Sequence, residues 1–273
     1  MTTTLRPTAP EQRTADGGRS RSYEVCVNSR RVGTVDISTE PRFGPTVGRI
    51  AHLVINERDR HRGRATVAAL AAEEVLRGWG CTQIVVGVPA SATTALALAG
   101  ALGYTERSRN MSKPLAAAPA LPAGSTPRPM DEAEFRRWLA RSRQRYVREW
   151  TDRGVPPALA EAKAERDHEG VLGQGLATPG TTLAVLAHDG EDVGTLWVGS
   201  HADGVFVFDV EVGEAHRGRG HGRTLMLLAE REALAAGAAA LGLNVFAGNT
   251  PALRLYESLG YRPTVFHLYK PLL

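Results

Sequence analysis

The chain has 273 residues, of which 42% are hydrophobic and 23% charged, and its net charge is +4 at pH 7. That length suits two domains, and the balance is ordinary for a globular protein, which excludes a fibrous or low-complexity chain. No apolar run is long enough to span a membrane, and the N-terminus lacks the apolar core of a secretory signal. The basic excess comes without a DNA- or RNA-binding motif, which argues against a nucleic-acid partner. Cys26 and Cys81 lack metal-ligand spacing and predict neither a disulfide nor a metal site, so a cytoplasmic location is the simplest expectation.

Four segments follow one another along the chain, each with its own composition. Residues 1–21 are rich in Thr, Pro, Gly and Arg, which predicts a flexible tail. Residues 22–115 show the pattern of three strands, a loop, a helix, a strand, a helix and a last strand. Residues 116–128 are rich in Ala and Pro and predict a linker, which leaves residues 129–273 as a second, longer domain.

The second domain opens with two predicted helices that the first domain lacks. Asp131 stands just ahead of an apolar stripe, and Glu134 completes a capping-box pattern for a helix over 131–151. Pro156 and Pro157 suit the start of a second helix that ends near residue 172. The same order of strands and helices as in the first domain then follows. We expect an α/β fold with a mixed, largely antiparallel sheet flanked by helices.

A repeat within the chain supports this organisation. A shift of 157 positions, which takes Arg60 to Arg217, brings similar tripeptides together without a gap. The aligned pairs are Leu102-Gly103-Tyr104 with Leu259-Gly260-Tyr261, and Lys113-Pro114-Leu115 with Lys270-Pro271-Leu272. A constant register over about sixty positions indicates two copies of one α/β unit.

A basic, Gly-rich loop follows the strand that ends at Val212 and precedes a long helix. Backbone N–H groups in such a loop can point at one spot, and the helix N-terminus adds partial positive charge. Arg217, Arg219 and Arg223 add full charges. The loop alone fits a phosphate or pyrophosphate site or a plain Gly-rich turn, and it matches neither the dinucleotide fingerprint nor the P-loop.

The rest of the second domain favours the phosphate site. The order strand, Arg-x-x-Gly-x-Gly loop, helix, strand, then Asn249-Thr250-Pro251-Ala252 and Leu255-Tyr256-Glu257-Ser258-Leu259-Gly260-Tyr261, resembles the GNAT superfamily of N-acetyltransferases. The resemblance covers residues 129–273, and the combination of motifs is specific although each piece alone is not. It implies two tandem GNAT-fold domains, acetyl-CoA as the acyl donor, and a primary amine of a small molecule as the acceptor.

The resemblance implies a role for each matching position. The loop would hold the pyrophosphate of coenzyme A, and the backbones of Val210 and Val212 would face its pantetheine arm. Tyr256 would protonate the leaving thiolate, and Asn249 would be a further contact. The loop positions are Arg217, Gly218, Arg219, Gly220, His221, Gly222 and Arg223.

The chemistry of acyl transfer agrees with these roles. A phenol is protonated at neutral pH, so Tyr256 can give a proton to a thiolate, and a backbone N–H near Val212 can stabilise the oxyanion. Asp209 and Glu211 share the other face of the same strand. Either could take the amine proton through a water, or be a solvated strand residue. Many family members carry Glu where this chain has Asn244, which favours a water relay here.

The first domain keeps the loop but loses this chemistry. At the shift of 157, Tyr256 corresponds to Ala99 and Asp209 to His52, and the two leading helices are missing. We expect residues 22–115 to be a truncated, catalytically silent GNAT-like domain. It either still binds coenzyme A or only covers a flank of the active copy. The layout is similar to that of tandem GNAT proteins with one working half, such as mycothiol synthases.

The acceptor pocket is expected between the leading helices and the strands of the second domain. Candidate lining residues, or plain core residues, are Trp138, Tyr146 and Trp150, and candidate partners for a cationic amine are Glu161, Asp167 and Glu169. The arginine run over 136–148 is either a solvated helix face or a feature that favours an acidic acceptor. A non-catalytic coenzyme A-binding sensor or partner-binding module is the alternative function, and it would not need Tyr256.

Overall fold

The chain was analysed as a computed structural model that describes residues 3–152, 155–201 and 204–272. The chain divides into two compact units, one of Met1–Arg107 with Val265–Leu273 and one of Ser108–Thr264. Among the described helices, none is long and apolar enough to cross a membrane.

The strands and helices follow the repeat. The first repeat contains β1 (Thr3–Pro7), β2 (Gln12–Arg13), β3 (Arg19–Val27), β4 (Arg30–Glu40), β5 (Gly44–Ile55), α1 (Arg64–Gly78), β6 (Gln83–Pro89), α2 (Thr93–Ala101) and β7 (Thr105–Pro114). The second contains β8 (Ser125–Pro129), α3 (Glu132–Thr151), α4 (Pro157–Leu172), β9 (Thr181–His188), β10 (Glu191–His201), β11 (Gly204–Val212), α5 (His221–Ala235), β12 (Ala240–Phe246), α6 (Thr250–Ser258) and β13 (Arg262–Pro271). The strand order is β1-β3-β4-β5-β6-β13 in the first unit and β7-β12-β11-β10-β9-β8 in the second.

The two leading helices of the second repeat form as predicted. Asp131 caps α3 by accepting a hydrogen bond from the Glu134 N–H at 2.7 Å, and the Glu134 carboxylate accepts one from the Asp131 N–H at 2.9 Å. Pro157 begins α4, where its missing N–H costs no helical hydrogen bond. The mixed α/β fold with a largely antiparallel sheet is confirmed.

The middle of each sheet repeats the same irregularity. β11 has a bulge at Phe208 against antiparallel β10, and it pairs with parallel β12 over Val205–Val207. β5 has a bulge at Ala51 against β4 and pairs with parallel β6 over Val47–Arg49. The shift of 157 carries Ala51 to Phe208, so the bulge keeps its place in the repeat. Beyond the bulge the parallel strands stop pairing, which leaves a V-shaped opening in each sheet.

The apolar cores show what the extra helices do. In the first unit the core lies between the sheet and helices α1 and α2, and no described helix covers the opposite face, where His52 and Val54 are exposed. In the second unit α5 and α6 pack on one face and α3 and α4 on the other. Alternate residues of β9 pack into the two cores: Leu186 packs with α5 and α6, and Val185 packs with α3 and α4.

Each sheet takes up the last strand of the other repeat. Lys113 of β7 lies 2.7 Å from Glu230 of α5 in the second unit, and Lys270 of β13 lies 2.7 Å from Glu73 of α1 in the first. Both carboxylates are 4% exposed. Because the two lysines are equivalent in the repeat, and the two glutamates also, either strand completes either sheet with the same ion pair.

The structure corrects the predicted boundaries in three places. Instead of a flexible tail over 1–21, Thr3–Pro7 pairs antiparallel with β3, and this hairpin matches the pairing of β8 with β9. The similar segments TTLRP at Thr3–Pro7 and STPRP at Ser125–Pro129 are the signal that reveals this strand in the sequence. The linker predicted for 116–128 contains the start of β8. The domains predicted at 22–115 and 129–273 differ from the compact units because the last strands are exchanged.

Candidate active site

The Gly-rich loop of the second unit ends in the first turn of a helix. Gly218 and Gly220 have φ angles of 76° and 89°, the left-handed region where glycine carries no penalty. Helix α5 begins at His221, and no side chain caps it at Gly220. The Arg223 N–H donates to the Gly220 carbonyl oxygen at 2.9 Å, so the N–H groups of His221 and Gly222 are the ones at the end of the loop that can bind an anion.

The arginines of the loop stay at the surface. Arg217 donates from Nε to the Val212 carbonyl oxygen at 3.4 Å, and Arg223 donates to the Ser258 hydroxyl at 2.6 Å. Both residues are exposed, as is Arg219. The helix N-terminus thus lies among three solvent-accessible guanidinium groups, which suits a phosphate ligand.

The open edge of β11 carries backbone groups without strand partners. The Gly213 N–H donates to the Val193 carbonyl oxygen at 2.9 Å, which makes Gly194 and Val212 a non-hydrogen-bonded pair. By alternation Val210 and Leu196 form another such pair, so the N–H groups of Val210 and Val212 point away from β10. Since β12 pairs with β11 up to Val207, these groups face the V-shaped opening. An extended ligand lying in that opening could hydrogen-bond to them as a strand does.

The two predicted bases lie on one face of β11 and share an arginine. Arg145 of α3 contacts Asp209 Oδ2 at 2.6 Å and Glu211 Oε2 at 2.9 Å. The indole N–H of Trp138 donates to the same Asp209 Oδ2 at 3.2 Å. Both contacts of Asp209 fall on one oxygen, so Oδ1 is the oxygen that can receive a proton from a ligand.

Electrostatics connect Asp209 with Tyr256 across the opening. Burial raises the pKa of Asp209, the nearby charge of Glu211 adds to this, and Arg145 opposes it. Burial and the charge of Asp209 raise the pKa of Tyr256 to about 12. Tyr256 packs with Val210 on the α5 side of the sheet, whereas Asp209 faces α3. The acid and the base predicted from sequence thus lie on opposite sides of the strand, within electrostatic reach of each other.

The two asparagines considered in the sequence have structural partners. Asn249 caps α6, since its Oδ1 accepts a hydrogen bond from the Ala252 N–H at 3.2 Å. Asn244 donates to Asn110 Oδ1 at 2.7 Å and to the Ser108 hydroxyl at 3.3 Å, both on β7. Asn244 therefore binds β7 to β12. Asn249 lies between β12 and α6, where it caps the helix.

The residues considered for the acceptor pocket either contact neighbouring side chains or lie exposed on α4. Asp167 is bound by Lys163 and Tyr146, while Glu161 and Glu169 are exposed on α4. Trp150 packs edge-on against Phe246 at 5.4 Å, in the aromatic layer between the helices and the sheet. None of these carboxylates has a described contact with Asp209 or Glu211. In the structure Asp167 is paired within the helices, and Glu161 and Glu169 are exposed to solvent.

Sequence reasoning missed Arg145 as a site residue. It belongs to the arginine run interpreted as a solvated helix face, yet it is only partly exposed and contacts both carboxylates. The available signal is its spacing: Arg145 lies seven residues after the buried Trp138, which puts both on one face of α3. A basic residue on the buried face of an amphipathic helix needs an acidic partner.

Histidines cluster beside the loop without forming a metal site. The ring centroids of His188 and His221 are 4.9 Å apart, and those of His216 and His221 are 6.3 Å apart. Burial and these neighbouring histidines lower the pKa of His221. Within the described ranges, no group of three or more His, Cys, Asp or Glu could hold a metal ion.

The first unit keeps the shape of the loop and changes its charges. Gly63 holds the left-handed position at φ 70°, and His61 takes a left-handed φ of 56° where the second unit has a glycine. At the start of α1, the buried Asp59 is bound by Arg30 at 2.7 Å and by Arg64. Asp59 thus binds Arg64, the residue aligned with His221, whereas Arg60 and Arg62 of the loop stay exposed. The residues aligned with Tyr256 and Asn249 are alanines 99 and 92, and α2 has no side-chain cap.

Comparison with known proteins identifies the class. The Acetyltransferase (GNAT) family model matches residues 3–104 and 132–261. The chain therefore belongs to the GNAT family of N-acetyltransferases, whose fold binds coenzyme A, and it contains that fold twice.

Individual relatives agree with the family. The uncharacterized N-acetyltransferase YycN of Bacillus subtilis is 30% identical over 142 residues, which is 50% of this chain and 91% of that protein. The mycothiol acetyltransferase of Corynebacterium glutamicum is 40% identical over 82 residues, 29% of this chain and 28% of that protein.

Solved structures match almost the whole chain. A GCN5-related N-acetyltransferase from Sphaerobacter thermophilus aligns with a TM-score of 0.59 at 19% identity, over 92% of this chain and 80% of that one. A tandem GNAT protein from the clavulanic acid biosynthesis pathway aligns with a TM-score of 0.51 at 17% identity, over 93% and 83%. At these identities the likeness shows the tandem fold alone.

Proposed function

We propose that the second unit transfers the acetyl group of acetyl-CoA to a primary amine of a small molecule by direct attack on the thioester. The observation that carries the proposal is the position of two groups beside the free edge of β11: Asp209 on the α3 side, held by Arg145, and Tyr256 on the α5 side, packed with Val210. A base on one side and an acid on the other are what amine attack and thiolate departure require. The Gly-rich loop at the end of the same strand supplies the anion site for the pyrophosphate.

In this mechanism Asp209 takes a proton from the incoming ammonium group at Oδ1, directly or through a water. The neutral amine nitrogen then bonds to the thioester carbon, and a backbone N–H near Val212 donates to the carbonyl oxygen as it gains charge. The carbon–sulfur bond breaks, Tyr256 protonates the sulfur, and the second proton lost by the nitrogen as it becomes an amide restores the Tyr256 hydroxyl through solvent, while the proton on Asp209 leaves to water. One proton is released to solvent in the net reaction.

The charge of Asp209 couples the protonation of the base to the acidity of Tyr256. Burial and, after it, the charge of Asp209 raise the pKa of Tyr256 to about 12, so the phenol is protonated before reaction, as an ordinary phenol also is at neutral pH. Once Asp209 has accepted the amine proton it is neutral, and the pKa of Tyr256 falls. The phenol therefore becomes a stronger acid after the amine has been activated.

The first unit, in this proposal, binds no coenzyme A. The start of its helix already carries the buried Asp59–Arg64 pair, and the unit has neither the acid nor the bases of the second unit. The alternative of a non-catalytic coenzyme A sensor keeps the loop but has no use for a buried carboxylate and a tyrosine at the same open strand edge.

Titration calorimetry of acetyl-CoA into the full chain tests this division. The matched variants are Gly220→Glu and Gly63→Glu, because both glycines are left-handed helix starts and an added Cβ would meet no atom within 4 Å at either. We expect one site per chain, lost in Gly220→Glu and kept in Gly63→Glu. Two sites, or a loss caused by Gly63→Glu, would contradict it. Thiol release from acetyl-CoA with a panel of amines then separates the enzyme from the sensor, which would bind without turnover.

A further inference from the structure

Three histidines lie together at the base of the Gly-rich loop in the second unit, and the proposed mechanism does not use them. His188 ends β9, His216 ends a short 3₁₀ helix after β11, and His221 begins α5. The ring centroids of His188 and His221 are 4.9 Å apart, and those of His216 and His221 are 6.3 Å apart. His221 is buried and the other two are half-buried. The three rings therefore form one histidine cluster beside the start of the helix.

The first unit has different chemistry at the same positions. The shift of 157 carries Asp59 to His216, each the last residue of a 3₁₀ helix, and Arg64 to His221, each the first residue of an α-helix. Asp59 and Arg64 form an ion pair between side chains that are 2% and 7% exposed. An aspartate–arginine pair keeps its charges between about pH 5 and pH 8, whereas imidazole titrates in that range. The second unit thus has a proton-dependent charge where the first has a fixed ion pair.

The surroundings of the histidine cluster disfavour its protonation in the free protein. Burial lowers the pKa of His221, and the charges of the other two histidines and of Arg219 lower it further. His188 Nδ1 shares a hydrogen bond with the Ser125 hydroxyl at 3.3 Å. His188 Nε2 lies 3.6 Å from the Asp189 carboxylate, which is 79% exposed and therefore screened by solvent. His221 is thus neutral at neutral pH before a ligand binds.

An anion bound at the end of the loop reverses this balance. The N–H groups of His221 and Gly222 are the donors there, so a bound pyrophosphate lies within about 8 Å of the His221 ring. Two negative charges at about that distance raise the pKa of an imidazole by about one unit, because they favour its charged form. A ligand that raises the pKa of a group binds with uptake of a proton. Its affinity therefore increases as the pH falls through the pKa range of that group.

We infer that the second unit takes up protons at the histidine cluster when it binds coenzyme A, so that acidification strengthens binding. This inference rests on the proposed function, which places the pyrophosphate at this loop. Asp209 must be ionised to act as the base, so acidic pH slows acetyl transfer while it strengthens coenzyme binding. The two ends of the site therefore respond to pH in opposite directions.

Titration calorimetry of dephospho-CoA into the full chain tests the inference. This probe keeps the pyrophosphate and lacks the 3′-phosphate of coenzyme A, whose own titration near neutral pH would obscure the result. Heats measured at pH 6.5, near the ordinary pKa of histidine, in PIPES and in ACES give the number of protons taken up, because the two buffers differ in ionisation enthalpy. We expect uptake of about half a proton per ligand, and an affinity about three- to tenfold higher at pH 5.5 than at pH 8.

Single variants assign the protons to the histidine cluster. His216→Asn and His221→Asn should each lower the uptake and flatten the pH dependence, and His216 is half-buried, so its replacement is informative even if His221→Asn does not fold. The matched control is His52→Asn, an exposed histidine of the first unit, which should change neither. Unchanged uptake in the folded cluster variants, or weaker binding at pH 5.5 than at pH 8, overturns the inference while the coenzyme site stands. No binding at any pH would instead refute the placement of the pyrophosphate at the loop, and the inference with it.

Discussion

Replacing Tyr256 with Phe removes one hydroxyl from the opening and leaves the ring that packs against the core. The expected magnitude follows from the thiolate. A free thiol has a pKa of about 8.5, so protonating it at pH 7 is worth about 1.5 pKa units, or about 2 kcal/mol, which is a factor of about 30 in rate. A positioned acid acts in the transition state as well, so we expect kcat to fall by about 30- to 1,000-fold.

The assay is steady-state thiol release over a range of acetyl-CoA concentrations, with calorimetry for the affinity. The KM for acetyl-CoA should change by less than about threefold, because the lost hydroxyl acts on the leaving group rather than on binding. Tyr261→Phe is the matched control: Tyr261 is fully buried beside Lys113, and its loss of a hydroxyl should leave kcat within about threefold. Equal turnover of Tyr256→Phe and the wild type would remove Tyr256 from the mechanism.

Two further predictions concern carboxylates of the second unit. Asp209→Asn should lower kcat by about 100-fold or more and remove the acidic limb of the pH–rate profile, whereas Glu211→Gln should keep that limb; the reverse result would make Glu211 the base. Glu134→Gln should cost about 1 kcal/mol of unfolding free energy at pH 7, measured by urea denaturation, because the capping box and the Arg128 pair are weakened. Since folding lowers the pKa of Glu134 to about 2, this stability is present above the ordinary value of 4.5 and is lost as the pH falls toward 2. A difference that stays constant down to acidic pH would contradict that assignment.

The parts of the fold that could be predicted from sequence are those with local signals. Three such signals are the capping box at Asp131, the proline start of α4 and the turn-forming glycines of the Gly-rich loop. Each acts within a few residues, and the helices they precede form. The repeat added a second, independent signal, because a single shift of 157 aligns the bulges and the parallel pairings of both sheets. The alternation of Asp209 and Glu211 with the valines of β11 likewise follows from strand geometry.

What could not be predicted depends on partners distant in the chain. The contact of Arg145 with Asp209 joins residues on two elements, and in an arginine-rich helix the sequence gives no reason to prefer one arginine. The exchange of β7 and β13 is hidden by the repeat itself, because Lys113 and Lys270 are equivalent and would form the same ion pair in either sheet. Strand β1 was missed because five residues of mixed polarity give no clear period, although their similarity to β8 was visible.

The exchanged strand leads to a last prediction about stability. Lys113→Met leaves the Glu230 carboxylate, which is 4% exposed, without its cation in the second unit. Breaking a buried ion pair costs about 3–5 kcal/mol, and the partial exposure of Lys113 reduces this to about 2–4 kcal/mol of unfolding free energy. The double variant Lys113→Met with Glu230→Met should be more stable than the single one, because no unpaired charge stays buried. If urea denaturation shows the single variant within about 0.5 kcal/mol of the wild type, or the double variant less stable than the single one, the ion pair does not hold β7 in its sheet.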